Sequence, residues 1–324
     1  MKIIRTTFCA AHLLLNTSML LTFFVRRNLR TSFTVYIMCL LFSNIVYAGA
    51  EHPFEILFQT YKSSWMWPSL CGFYLYLFWV WCGVPMHIHM LITINRIWAI
   101  AMPHTYRKYH TMKMAFVLCG LTTLYVHTVA LPLIVLDQWK YAVSVKEKGC
   151  TLNFSVALVD DYTTGVQILI FDVPIVVVVL SYPFLLYKQT KRSKRKWLDE
   201  MTKSVVNRVQ PSTRLSGGAQ SGATETAVNK APQEKAPKKE SARPFLVLTL
   251  LTTSVFLLWT PNQTYWTVVC FVPPTWDAHA VPIRNIVSAM GAFQPVLDPV
   301  LFALSLQSFR TGISRFFRAC QGNA

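Results

Sequence analysis

The chain has 324 residues, 53% of them hydrophobic and only 14% charged, and 31 basic against 14 acidic residues give it a formal net charge of +17. Its apolar residues come in long runs, whereas a soluble α/β core divides them into strands of roughly 4–8 residues with charged faces between. This pattern excludes a soluble α/β protein. The positive charge does not indicate nucleic-acid binding either, because the sequence carries no motif for RNA or DNA recognition.

Seven stretches of the chain are apolar enough and long enough to cross a lipid bilayer, and they contain few acidic residues. Each is close to the ~20 residues that a helix needs to span about 30 Å of hydrocarbon. In chain order they are 4–25, 32–58, 70–94, 113–136, 163–187, 245–271 and 281–304. The sequence therefore predicts an all-α membrane protein, a seven-transmembrane helix bundle.

A cleaved signal peptide is the alternative interpretation of the first stretch. Its apolar run is longer than the core of a signal peptide, and Arg26-Arg27 follows without a cleavage motif of small residues. A first membrane span is the better interpretation of residues 1–25.

The basic residues favour one side of the membrane. Most of them lie after the first, third and fifth spans and in the tail, and positive loops stay cytoplasmic. We expect an extracellular N-terminus and a cytoplasmic C-terminus. The chain then divides into spans one to five (1–187), a flexible basic cytoplasmic loop with helical ends (188–243), spans six and seven (244–306), and an amphipathic eighth helix with a short tail (307–324).

Each of the seven spans carries a short motif or a landmark residue. The third span ends in Asn95-Arg96-Ile97, and Pro103 and Tyr106 follow at fixed distances. The other landmarks are Asn16 in the first span, Asn44 and Pro53 in the second, Pro132 in the fourth, Phe171-Asp172-Val173-Pro174 and Tyr182 in the fifth, Leu258-Trp259-Thr260-Pro261 in the sixth, and Asp298-Pro299-Val300-Leu301-Phe302 in the seventh.

These landmarks, in this order and spacing, resemble those of the rhodopsin-like (class A) G-protein-coupled receptors. The resemblance covers about residues 10–320 apart from the 188–243 loop. It implies a plasma-membrane receptor that binds an extracellular ligand and activates a cytoplasmic heterotrimeric G protein when the sixth helix swings outward. No sub-family follows: by spacing, Phe78 replaces the aspartate of amine receptors and Ala292 the lysine that holds retinal in opsins.

Several positions depart from the family pattern. Asn95 is uncharged where relatives carry an acid, and the deep phenylalanine of the sixth span is Val255, with Phe256 displaced by one residue. Asn44 and Asp298 exchange the usual Asp and Asn of the second and seventh spans. We therefore expect a weak resting clasp on Arg96 and no sodium ion at the carboxylate. A degenerate scaffold that no longer signals is the alternative.

The resemblance assigns roles residue by residue. An arginine at the inner membrane edge is costly without water or a partner, so Arg96 is the first functional candidate. A simple snorkelling anchor is the other interpretation. Pro261 removes a backbone donor and predicts a pivot in the sixth helix. The expected coupling residues are Asn95, Arg96, Pro103 and Tyr182, and the expected activation switch comprises Trp259, Pro261, Asn44, Asp298, Pro299 and Phe302.

The predicted ligand cavity is aromatic and mostly neutral. Its expected lining is Glu55, Phe78, Trp79, Cys82, Gln167, Asn262, Gln263, Trp266, Arg284 and Ser288. The outer loop 137–161 alternates apolar and polar residues as a strand hairpin does, and a hairpin lid leaves the cavity open in peptide receptors that this chain resembles. We expect a peptide ligand, with a lipid or a neutral small molecule as the alternative.

The remaining predictions concern modification and exclude catalysis. Cys71 and Cys150 face an oxidising space and are expected to form a disulfide. Asn153 begins an N-glycosylation sequon, and Cys320, at the end of an eighth helix over about 308–319, is expected to carry a lipid. Histidines such as His87 and His89 show no metal-ligand spacing and are expected to pack as polar groups. No metal ion, cofactor or enzymatic activity is indicated.

Overall fold

Seven long helices form the bundle, in a computed structural model that describes residues 2–61, 68–142, 150–209, 243–272 and 279–305. They are α1 (Lys2–Val25), α2 (Ser32–Tyr61), α3 (Pro68–Ala101), α4 (Met112–Leu136), α5 (Ala157–Val166, Gln167–Asp172 and Val173–Val209 in succession), α6 (Arg243–Ser254, Val255–Trp259 and Thr260–Phe271 in succession) and α7 (Val281–Ser305). A short helix, Pro103–Tyr109, joins α3 to α4.

The apolar runs of the sequence form these helices and make six of them long and apolar enough to cross a membrane. Those six are α1 to α5 and α7; α6 is helical over a similar length and packs between α5 and α7. Local signals define where two helices start: the Thr111 hydroxyl accepts the Met114 N–H at 3.2 Å before α4, and Pro103 occupies the first turn of the short helix. The all-α membrane bundle is confirmed.

The packing order brings α3 to the centre. It contacts α2, α4 and α5, while α1 packs on α2 and α7, and α6 on α5 and α7. Large apolar side chains remain exposed on the outer faces, such as Leu121 and Leu124 of α4. Polar side chains are buried instead, including Asn16, Asn44 and Asp298 at 0% exposure. This inverted distribution suits a lipid environment and concentrates the polar chemistry in the bundle interior.

Two helices widen locally where they face each other. The segments Gln167–Asp172 of α5 and Val255–Trp259 of α6 are π-helical. Such segments are inserted turns that re-aim side chains, and they are frequent at functional sites. They put the outer halves of α5 and α6 in position for the contacts described below.

The predicted strand hairpin over 137–161 is wrong for the residues described there. Asp137–Tyr141 continues α4 as a π-helical turn, a turn at 154–155 follows, and α5 already begins at Ala157 rather than at 163. The buried Asp137 carboxylate accepts the Asn153 N–H at 2.8 Å, so this part of the loop bonds to the turn that continues α4. Residues 143–149 lie outside the described chain.

The predicted disulfide between Cys71 and Cys150 is present and ties this loop to the start of α3. At the other end of the molecule, α5 continues through the expected boundary at 187 as far as Val209. The predicted eighth helix over 308–319 and Cys320 fall outside the described residues.

Candidate functional site

A buried carboxylate lies at the centre of the bundle, surrounded by donors from three helices. Asp298 Oδ2 accepts from His89 Nε2 at 3.0 Å and from Asn44 Nδ2 at 3.2 Å, and Oδ1 accepts from Gln294 Nε2 at 2.9 Å. All four side chains are at most 2% exposed. Both carboxylate oxygens are therefore satisfied by protein groups, which is the condition for burying such a group without a large penalty.

This network continues into α1, where it supplies a hydrogen-bond donor to the backbone of α7. Asn44 Nδ2 also donates to Asn16 Oδ1 at 3.2 Å, and Asn16 Nδ2 donates to the Pro295 carbonyl at 2.9 Å. Pro299 has no N–H, so the carbonyl four residues earlier, that of Pro295, lacks its helical donor. Asn16 supplies the missing donor, which explains why an asparagine stands at this depth of α1.

The structure brings Asn44 and Asp298 together, and it adds His89, which the sequence analysis expected only to pack as a polar group. Pro85 and His89 are four residues apart on α3 and lie on the same face. By spacing, Pro85 stands where the family that the sequence resembles has a serine at its sodium site. That spacing was the signal that could have identified His89.

Trp259 connects the carboxylate network to the upper part of the bundle. Its ring lies edge-on to His89 with 4.9 Å between centroids, and its Nε1 donates to the Gly291 carbonyl at 3.3 Å. Gly291 permits this approach of α6 to α7, because a Cβ there would lie 2.3 Å from Asn262 Nδ2. Pro261 follows Trp259 by two residues and frees a carbonyl within the π-helical segment.

The predicted switch residue Phe302 is fully buried. The displaced phenylalanine of α6 is not: Val255 is 1% exposed, whereas Phe256 is 53% exposed and faces outward. Phe256 therefore does not replace the aromatic ring missing at the Val255 position.

Two glutamines join α5 to α6 one helical turn after Trp259. Gln167 Nε2 donates to Gln263 Oε1 at 3.0 Å, and both side chains are buried. One turn later on α6, the Thr267 hydroxyl donates to Asp172 at 2.8 Å. Asn262 is partly exposed, and its Oδ1 accepts no hydrogen bond from the part of the chain that the structure describes.

Aromatic rings pack together between α3 and α5. Trp79 contacts Phe78 at 5.8 Å and Phe171 at 5.9 Å between centroids, and Cys82 lies half-buried one turn below Phe78. Trp266 packs on its neighbour Tyr265 at the outer end of α6. The remaining predicted lining residues Arg284 and Ser288 are half-buried on α7, and the side chain of Glu55 is outside the described atoms.

Arg96, at the inner end of α3, is held by an aromatic ring and not by an acid. Its guanidinium carbon lies 3.5 Å from the centroid of the Phe33 ring on α2. Its Nε has no hydrogen-bond partner, and no carboxylate pairs with it among the described residues. The neighbouring Asn95 Nδ2 donates to the Tyr106 hydroxyl at 3.5 Å. The weak resting clasp on Arg96 stays a prediction.

A stack of three rings fastens the short helix of the inner loop to α2. His110 lies between Tyr106, at 4.3 Å, and Tyr36, at 5.7 Å, and its Nε2 is 3.2 Å from the Tyr36 hydroxyl. Burial lowers the pKa of His110, and the nearby Arg96 charge lowers it further. The expected coupling residue Pro103 begins the short helix.

The described chain thus has a group of amides and rings beyond Trp259, a central network at Asp298, and a group of aromatic contacts around Arg96. No curated protein matches the chain. A family model described as 7 transmembrane receptor (rhodopsin family) matches residues 15–302, from Leu15 in α1 to Phe302 in α7. The chain belongs to the rhodopsin family of seven-transmembrane receptors.

Proposed function

We propose that this receptor binds an extracellular ligand between α3, α5, α6 and α7 and activates a heterotrimeric G protein at the opposite face. The observation that carries the proposal is the position of Trp259, which contacts the Asp298 network through His89 and stands one helical turn before Asn262 and Gln263. A ligand that moves α6 at its amides also moves the indole against the network.

The proposed movement is a swing of the inner half of α6 about Pro261. Three local features support it: the proline removes a helical hydrogen bond, the π-helical segment Val255–Trp259 precedes it, and Gly291 lets α7 approach closely. The indole N–H bond to the Gly291 carbonyl is the contact that must lengthen as α6 turns.

The inner surface supports easy release of Arg96 toward a partner. A cation–π contact such as that with Phe33 contributes about 0.5–2 kcal/mol, whereas breaking a buried ion pair costs about 3–5 kcal/mol. A difference of about 1.4 kcal/mol changes a population tenfold. The ligand-free receptor is therefore expected to activate its G protein appreciably.

A peptide is the ligand that fits this lining best. Gln167, Gln263 and Asn262 are neutral amides that can pair with the N–H and C=O groups of a peptide backbone, and the unpaired Asn262 Oδ1 offers an acceptor. The Phe78 and Trp79 rings offer a surface for apolar side chains. The basic inner loops support an extracellular N-terminus, so that this cavity opens to the outside.

A receptor-like scaffold that binds a ligand without signalling is the second candidate. The observation that favours it is the missing ring at Val255 together with the outward-facing Phe256. This departure lies in α6, the helix that must move.

Nucleotide exchange on a panel of purified G proteins tests the proposal with the full chain in lipid nanodiscs. At least one G protein is expected to exchange faster with the receptor than without it. Arg96→Ala should abolish this acceleration, whereas Arg107→Ala, on the exposed short helix, should retain it. A panel without any response, or a full response from Arg96→Ala, would overturn G-protein coupling and favour the scaffold.

A peptide library applied to the responding pair tests the ligand class. A peptide agonist should lose potency about tenfold or more with Gln263→Ala, because a buried amide partner is removed. Agonism by lipids or small neutral molecules alone would contradict the peptide assignment while leaving G-protein coupling intact.

A further inference from the structure

A pair of histidines lies between α1 and α2, outside the network around Asp298. His12 of α1 is 1% exposed, and the centroid of its ring is 5.5 Å from that of His52 on α2. Tyr47 adjoins both rings, at 6.4 Å from His12 and 5.5 Å from His52. The pair lies in the half of the bundle that also contains the Cys71–Cys150 disulfide, since His12 is early in α1 and His52 late in α2.

His12 has two ring nitrogens, and neither of them has a hydrogen-bond partner among the residues that the structure describes. A buried imidazole contains at least one strong acceptor and one strong donor, and native structures nearly always satisfy such groups. The other buried histidines follow this rule: His87 contacts the Gly83 carbonyl, and His89 contacts Asp298. His12 is the exception that requires a ligand.

The spacing of the two rings suits one shared metal ion. Zinc binds an imidazole nitrogen at about 2.0–2.1 Å and prefers tetrahedral angles. With each ring centre roughly 1 Å behind its nitrogen, two imidazoles on one tetrahedral zinc ion place their ring centres about 5 Å apart. The 5.5 Å observed between His12 and His52 is close to this distance. Neutral imidazole is also the form that binds the ion.

We propose that His12 and His52 bind a Zn²⁺ ion that bridges α1 and α2. Each histidine needs to contribute only one nitrogen. No group of three or more His, Cys, Asp or Glu side chains among the described residues is arranged to hold a metal ion. The proposed site is therefore a two-histidine site whose other ligands are water molecules.

Thermal unfolding of the purified full-length receptor in ZnCl₂, compared with the same sample in EDTA, tests the site. Zinc at about 100 times its Kd should raise the Tm by about 5 °C. The rise should disappear with His12→Gln and with His52→Gln. It should persist with His127→Gln, a membrane histidine whose nitrogens already contact Tyr76 and the Thr123 carbonyl, and with His279→Gln, whose side chain is exposed.

Comparing each variant with its own EDTA sample separates zinc binding from any effect of the substitution on stability. No rise in the intact receptor, or a rise that survives both His12→Gln and His52→Gln, would overturn the proposal. If either variant does not fold, electron paramagnetic resonance of the intact receptor with one equivalent of Cu²⁺ decides. Coupling to two imidazole nitrogens is expected, and a spectrum without nitrogen coupling would refute the site.

Discussion

The sharpest prediction concerns the bond between His89 and Asp298. We expect His89→Leu to destabilise the receptor markedly, because it removes one of three donors from a carboxylate that is fully buried. Removing a hydrogen-bond partner from a buried polar group costs about 1–3 kcal/mol. A carboxyl group lies at the upper end of this range, so about 3 kcal/mol applies here although Asn44 and Gln294 continue to donate. At roughly 2–4 °C per kcal/mol, the Tm should fall by about 6–12 °C.

His87→Leu is the matched control. His87 lies two residues earlier on α3, is equally buried at 2% exposure, and contacts the Gly83 carbonyl within its own helix. His87→Leu makes the same change of side chain, but it removes no donor from a buried carboxyl group. It should cost about 1 kcal/mol, or about 2–4 °C in Tm.

The measurement is thermal unfolding of detergent-purified receptor, followed by the fluorescence of a thiol-reactive dye. A second comparison uses Asp298→Asn, which removes the carboxylate. In the background of Asp298→Asn, His89→Leu should cost at least about 1 kcal/mol less than in the intact receptor, because the two residues are coupled. Equal losses for His89→Leu and His87→Leu, or additive effects of His89→Leu and Asp298→Asn, would refute the reasoning.

Three further predictions follow from the two ends of the bundle. The disulfide between Cys71 and Cys150, 79 residues apart, should contribute about 4 kcal/mol to stability, and non-reducing peptide mapping that found both thiols free would contradict it. Asn95→Asp places a carboxylate beside Arg96, and the new ion pair should stabilise the inactive state by about 1 kcal/mol. Ligand-free nucleotide exchange should then fall about fivefold, and unchanged or faster exchange would count against this. Burial, and to a lesser extent the charge of Arg96, lowers the pKa of His110 below its ordinary value of 6.5. As the pH falls, the unfolded loop therefore binds the proton before the folded loop does. The folded loop should lose stability as the pH falls below 6.5. Amide exchange over 103–110, corrected for intrinsic rates, should then speed up in the intact receptor but not in His110→Gln, and slower exchange at low pH would show the opposite sign.

The membrane spans could be predicted from the sequence because they depend on local properties. The length and apolarity of a run determine whether it can cross a bilayer as a helix, and six runs form helices that meet this condition in the structure. The predicted hairpin before the fifth span was wrong, because the described residues there form helix and turn. The Asp137 carboxylate accepts the Asn153 N–H across this loop, and an alternating pattern gives no sign of such a bond.

Family motifs located the central site but not all its members. Asn44, Trp259 and Asp298 were identified because each stands in a recognisable motif at a matching depth. His89 stands in no motif, and its contact with Asp298 joins residues 209 positions apart in the chain. Only the arrangement of α3 and α7 within the folded bundle determines that contact.

What the sequence determined by itself was the all-α membrane architecture, the family and the residues at its landmark positions, because hydrophobic length and motif spacing are written along the chain. Only the tertiary structure determines which group each polar side chain contacts. It places Phe33 against Arg96 where an acid was absent, and it directs Asn16 to the carbonyl that Pro299 leaves without a donor. These choices depend on how helices rotate and approach one another, and that geometry arises only when the whole bundle packs.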